Sequence, residues 1–174
     1  MENYIKTVLY AFPLLETVEE DYQIHIQNKA VLSYRSDKSA WEFAEYLAGE
    51  ICEKQALLWL KAKVQEVLDK LTDVERALVG ARYFGKRKGV RNILLTRCKN
   101  KNGAIAAWSE RQYFRFQRRL GDKLAAILKN EGLTEETFEK TYARLDIFAK
   151  IYHAVCEGKD RKITQSERRW LGAE

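Results

Sequence analysis

A chain of 174 residues that is 46% hydrophobic can bury one ordinary core, which excludes a wholly disordered chain. Its single proline, Pro13, and its 32% of charged residues leave little of the punctuation of strand-rich folds, so an all-α fold is expected. No apolar run approaches the roughly 18 residues of a membrane span, and the first residues carry neither a basic n-region nor a cleavage site, so the reading is a cytoplasmic protein without a membrane partner.

From Glu2 to about Leu32, Ile5, Val8, Leu9, Phe12, Leu15, Val18 and Tyr22 recur at three- and four-residue spacing. This predicts an amphipathic helix, broken near Pro13, with Glu19, Glu20 and Asp21 facing away. After the polar stretch SYRSDKS, a second periodic run holds Trp41, Ala44, Leu47, Ala48, Ile51, Leu58, Val64, Val67, Leu68 and Leu71. It predicts a long helix over about Asp37 to Leu71 that pairs with the first as an antiparallel hairpin, each stripe covering the other. Residues 1–71 thus read as a scaffold or docking unit, and Glu42, Glu45 and Glu50 as its solvated face.

Thr72 and Glu75 form a capping box, so a new helix starts at about Asp73, with Val74, Leu78, Ala81, Tyr83 and Phe84 at helical spacing and Gly85 placed to end it. The next stretch carries Lys86, Arg87, Lys88, Arg91, Arg97, Lys99 and Lys101 without one acid, with a short helix expected over Val90 to Cys98. Ser109 and Gln112 make a second capping box, opening a helix to about Glu131. At about 100° per residue, Tyr113, Phe116, Leu120, Leu124 and Ile127 share one face, and Arg111, Arg115, Arg118 and Arg119 gather with Gln112 on the other. Arginine suits bidentate contact with phosphate and with the O6 and N7 acceptors of guanine, and helix N-terminal amides add to phosphate binding.

Beyond Gly132, Thr134 caps a helix to about Tyr142, and Leu145, Phe148, Ile151, Tyr152 and Val155 predict another. EGKDRK is then a polar turn, and Thr164 with Glu167 a third capping box. Residues 134–174 read as C-terminal core helices.

Charge is partitioned along these units. Residues 1–71 hold 8 Lys and Arg against 12 Asp and Glu, 72–133 hold 15 against 5, and 134–174 hold 8 against 8. A single-sign block of this size costs self-repulsion unless a partner supplies negative charge, and nucleic acid is the commonest such partner. The candidate contacts are Ser109, Arg111, Gln112, Arg115, Arg118 and Arg119, on a recognition helix over about Ser109 to Asn130, together with the basic residues from Lys86 to Lys101.

Catalytic chemistry finds no foothold. There is no Gly-rich phosphate loop and no nucleophile elbow; His25 has no Cys or second His at i+3 or i+4, and His153 has Cys156 alone at i+3, too few ligands to share a metal. Cys52, Cys98 and Cys156 are odd in number and sit among Leu, Ile and Val, which predicts small buried thiols in a reducing compartment. The sequence therefore reads as non-enzymatic, with no cofactor and no metal.

LTDVERALVGARYF, followed after a gap by WSERQYFRFQRRLGDKLAAIL, resembles region 4 of bacterial sigma factors and the phage and Firmicutes transcription regulators built on the same helix-turn-helix. Glu75, Arg76, Arg82, Tyr83 and Phe84 match its first element, and Ser109, Arg111, Gln112, Arg115 and Arg118 its capped recognition helix. The likeness covers the central third. Where the family has a compact helix before the capping serine, this chain has a longer basic insertion ending in Ile105, Ala106, Ala107 and Trp108. The resemblance implies a DNA-binding regulator or sigma-like accessory protein, with RNA polymerase or another protein as a second partner. The rival is a helical interaction module whose basic face meets an acidic protein, or the chain's own acidic N-terminal hairpin.

Overall fold

The computed structural model describes residues 1–32, 39–85 and 110–159. Among the described residues the chain is all-helical, with α1 (Asn3–Ala11), a 3₁₀ turn (Phe12–Leu14), α2 (Leu15–Leu32), α3 (Ala40–Asp69), α4 (Asp73–Tyr83), α5 (Glu110–Asn130), α6 (Glu135–Thr141) and α7 (Asp146–Cys156). The basic segment 86–101, the helix expected over Val90 to Cys98, Ser109 and the capping box of Thr164 and Glu167 lie outside the described residues.

Pro13 ends α1 as expected. It has no N–H to donate, and the chain passes through the 3₁₀ turn before α2 begins. Tyr4, Ile5, Val8, Leu9, Tyr10 and Ala11 are all buried, so nearly the whole of α1 is covered, chiefly by α7 along its length. Buried Thr7 is satisfied within the helix, its hydroxyl donating to the Asn3 carbonyl at 2.9 Å. At one end of α1, Tyr4 meets Phe138 of α6 at 5.9 Å between ring centroids; at the other, Tyr10 meets Tyr83 of α4 edge-on at 4.9 Å. Phe138, Tyr142 and Phe148 close an aromatic cluster beneath. Burial pushes the Tyr142 hydroxyl up to about 12, and it donates to the Ala56 carbonyl.

The α2–α3 pair is antiparallel, but polar groups hold its outer half. Glu19 meets Lys61 at 3.1 Å, Tyr22 donates to Glu53 at 3.0 Å, His25 meets Glu50 at 3.0 Å, and Lys29 lies over the Tyr46 ring. This corrects the expectation of two complementary apolar stripes. Trp41 is 78% exposed, Ile51 is exposed, and on α2 so are Ile24 and Val31. The buried part of α3 is its second half, Leu57, Leu60, Val64, Val67 and Leu68, with Leu71 just beyond. The physical reason is length. Thirty residues of helix span about 45 Å, and only the inner turns reach the other helices, while the facing turns of α2 carry Gln23, His25, Gln27 and Asn28 instead of a stripe. Glu50, expected on a solvated face, is partly enclosed between His25 and Tyr46. The thiols are corrected too: Cys52, on the outer part of α3, and Cys156, at the end of α7, are both exposed.

Both halves of the capping box at Thr72 and Glu75 are formed. Arg76 reaches back to close the preceding helix, donating to the carbonyls of Leu68 at 3.2 Å and Leu71 at 3.4 Å. The end of α5 turns on Gly132, whose φ of +92° suits glycine. The following Leu133 N–H bonds the Leu128 carbonyl at 3.0 Å, and its side chain is fully buried. Buried side chains from residues 1–71, 72–133 and 134–159 join one hydrophobic core. No helix among the described residues is long and apolar enough to cross a membrane.

Candidate nucleic-acid interface

Two neighbours fix how α5 faces. Its inner positions Leu120, Leu124 and Leu128 are 6%, 1% and 0% exposed, and Tyr113, Phe116 and Ile127 pack half-buried against the same core. The second half of α3 lies against it on one side, and α4 on another, where Leu78, Val79 and Tyr83 meet Leu120, Gly121 and Leu124. With that face committed, Arg111, Gln112, Arg115, Arg118 and Arg119 are all exposed. By helical projection Arg111, Arg115 and Arg118 fall within about 60° of arc, with Arg119 and Gln112 about 80° and 100° from Arg111. Exposed Asp122 sits on the same arc one turn beyond Arg118 and marks where the basic stripe ends.

The charges of α5 divide along its length. In the C-terminal half, Lys123 pairs with Glu75 at 2.8 Å, Lys129 with Glu2 at 2.7 Å, and Glu131 just past the helix with Lys70 at 2.8 Å and Lys63 at 3.0 Å. Burial raises the Glu75 carboxyl, but the hydrogen bonds from Lys123 and Thr72 outweigh it and hold the carboxyl below its usual range. Lys70 and Lys63 hold Glu131 down in the same way. In the N-terminal half, none of Arg111, Arg115, Arg118 and Arg119 has an ion-pair partner among the described residues. The acidic cluster of α2 does not reach them either: Glu19 is taken by Lys61, and Glu20 and Asp21 are exposed. Among the described residues, the uncompensated positive charge of the helix is therefore gathered in its first three turns.

The other residues of the sigma-like pattern have structural employment. Glu75 caps α4, Arg76 closes α3, Tyr83 and Phe84 pack on Tyr10 and Phe12, and Arg82 donates to Gln117 of α5 at 3.0 Å. Ser109 and the seven basic residues between Lys86 and Lys101 lie outside the described residues.

A feature that the sequence reading did not single out adjoins the arginine arc. An open cleft of about 250 Å³ lies where α1, α4 and α5 meet, lined by Met1, Lys6, Arg82, Tyr83, Phe114, Gln117, Arg118 and Gly121. Phe114, at 58% exposure, is the one large apolar side chain on the polar side of α5. By projection it stands about 60° from Arg111, and that misplacement was the available signal. Among the described residues, no three His, Cys, Asp or Glu side chains gather where they could hold a metal ion.

Compared with protein-family models, curated proteins and solved structures, the chain matches none.

Proposed function

We infer that this chain is a non-catalytic DNA-binding protein, a transcription regulator or sigma-like accessory factor, that lays the N-terminal turns of α5 against duplex DNA. One observation carries the reading: the four arginines of that half are exposed and have no ion-pair partner among the described residues, while the cations of the other half are neutralised by Glu75 and Glu2. Exposed guanidinium groups in one arc, on a helix seated against α3 and α4, suit contact with a phosphate backbone. The net surplus of 15 basic over 5 acidic residues in 72–133 adds long-range attraction for a polyanion.

A second reading, a helical module that binds an acidic protein, draws on the exposed Trp41, Tyr46 and Ile51 of α3, which give a protein partner apolar surface to cover. One experiment separates the two. Binding to a labelled mixed-sequence duplex is followed by fluorescence anisotropy across salt, for wild type and for Arg111/Arg115/Arg118→Ala. The expected result is a log–log salt slope of about −0.9 per phosphate contact, flattened by roughly 3 contacts in the triple variant. Absence of binding by wild type at about 50 mM salt overturns the DNA reading and favours the protein partner.

A further inference from the structure

The cleft between α1, α4 and α5 has the chemistry of a nucleotide site. Among the described residues, three cations from three separate helices line it, Lys6 of α1, Arg82 of α4 and Arg118 of α5, and no carboxylate does. Arg82 is held in place: it donates to Gln117 at 3.0 Å and lies over the Tyr83 ring at 5.3 Å. A guanidinium has five N–H donors, so most of its donors remain for a ligand. The Phe114 ring stands beside these cations, braced edge-on by Tyr113 at 5.7 Å between centroids and still 58% exposed. An exposed, braced aromatic ring next to convergent cations combines the two elements that bind unpaired nucleotides: a stacking platform for the base and positive charge for the phosphate.

We propose that this cleft holds one unpaired nucleotide, its base stacked on Phe114 and its phosphate between Lys6, Arg82 and Arg118. At about 250 Å³ the cleft falls below the roughly 300–1,000 Å³ that encloses a whole small-molecule ligand. A nucleotide therefore sits there partly covered, which favours one tethered in a strand that other contacts anchor over one captured free. Arg118 belongs both to the cleft and to the arginine arc, so a duplex lying on α5 can deliver an unpaired nucleotide at its end or at an opened pair. The proposal rests on the DNA reading of α5 for its source of ligand, but the site itself stands on Lys6, Arg82 and Phe114, which lie outside the arc.

The test uses the full chain and three fluorescent probes: a blunt duplex, the same duplex with an overhang of about four nucleotides, and a labelled mononucleotide. The proteins are wild type, Phe114→Ala, Lys6→Ala and Arg111/Arg115→Ala, each first checked for an unchanged melting temperature. Wild type should hold the overhang duplex about tenfold more tightly than the blunt one. Phe114→Ala and Lys6→Ala should remove that difference while leaving blunt-duplex affinity nearly intact. Arg111/Arg115→Ala should weaken both duplexes together and keep the ratio. Equal affinity of wild type for the two duplexes overturns the cleft and leaves the α5 reading standing. Failure to bind either duplex, with mononucleotide binding lost in Phe114→Ala, overturns the α5 reading and supports the cleft with a free nucleotide as its ligand. Binding of none of the three probes overturns both.

Discussion

Lys123 Nζ lies 2.8 Å from the Glu75 carboxylate, and the same carboxylate accepts the backbone N–H of Thr72 at 2.9 Å. One side chain thus starts α4 and fastens α5 to it, which sets the direction in which the arginine arc faces. Replacing Glu75 with Ala removes half of a capping box and an ion pair whose carboxylate is largely covered. The expected loss is about 1–2 kcal/mol, read as a lower urea midpoint. Glu75→Gln keeps the cap and drops the charge, so it should cost less; an unchanged midpoint in Glu75→Ala would remove this role.

The sign of the pH dependence follows from the same contact. Lys123 and Thr72 hold the Glu75 carboxyl below its ordinary range in the folded state, so folding gains stability from it above the unfolded value, and that gain is lost as pH falls through the folded value. Urea midpoints taken from pH 6 down to about pH 3 should fall more steeply for wild type than for Glu75→Gln. Parallel curves for the two proteins would contradict the assignment.

The two faces of α5 should respond oppositely to substitution. Leu124 is 1% exposed in the core, so Leu124→Ala should cost about 2–5 kcal/mol. Arg115 is exposed and unpaired among the described residues, so Arg115→Ala should stay within about 0.5 kcal/mol of wild type. Urea denaturation of the pair checks the facing of the helix; comparable losses would mean it is turned the other way.

Gly49 sits inside α3 where an added Cβ meets no atom within 4 Å. Alanine there gains helix propensity without a clash, and Gly49→Ala should raise stability by about 0.8–1 kcal/mol and the melting temperature by roughly 2–4 °C. A fall in melting temperature would show that the outer part of α3 is covered in solution.

Cys52 and Cys156 are both exposed. In a Cys98→Ser background, a thiol reagent such as dithionitrobenzoate should titrate two thiols per chain in native buffer, without denaturant. Reaction only after unfolding would restore the buried-thiol expectation.

What the sequence made legible was local. The break at Pro13, the box of Thr72 with Glu75 and the two-sided character of α5 depend on neighbours within four residues, and each stands where periodicity and capping chemistry put it. Periodicity says that a face exists but not what covers it. Trp41 and Ile51 satisfy the stripe rule as well as Val64 does, yet only Val64 lies within reach of α5 and the rest of the core. Cys52 followed the same fate as its outer neighbours on α3. The cleft was hidden for a different reason: Lys6, Arg82 and Phe114 come from segments far apart in the chain, and only tertiary packing makes them neighbours.

The central place of α1 has a consequence for biosynthesis. This helix meets its main partner at the far end of the chain: Asn3 and Cys156, 153 residues apart, are within hydrogen-bonding distance, and the Tyr4 hydroxyl reaches the Leu133 carbonyl. At about 5–20 residues per second, a ribosome takes roughly 8–30 s to make the intervening chain. Until then the face of α1 that packs on α7 has no native surface to meet, even though Tyr10 finds Tyr83 earlier, so α1 is fully covered only once the last described helix is made. The core is therefore closed late in synthesis, by the contact between α1 and α7.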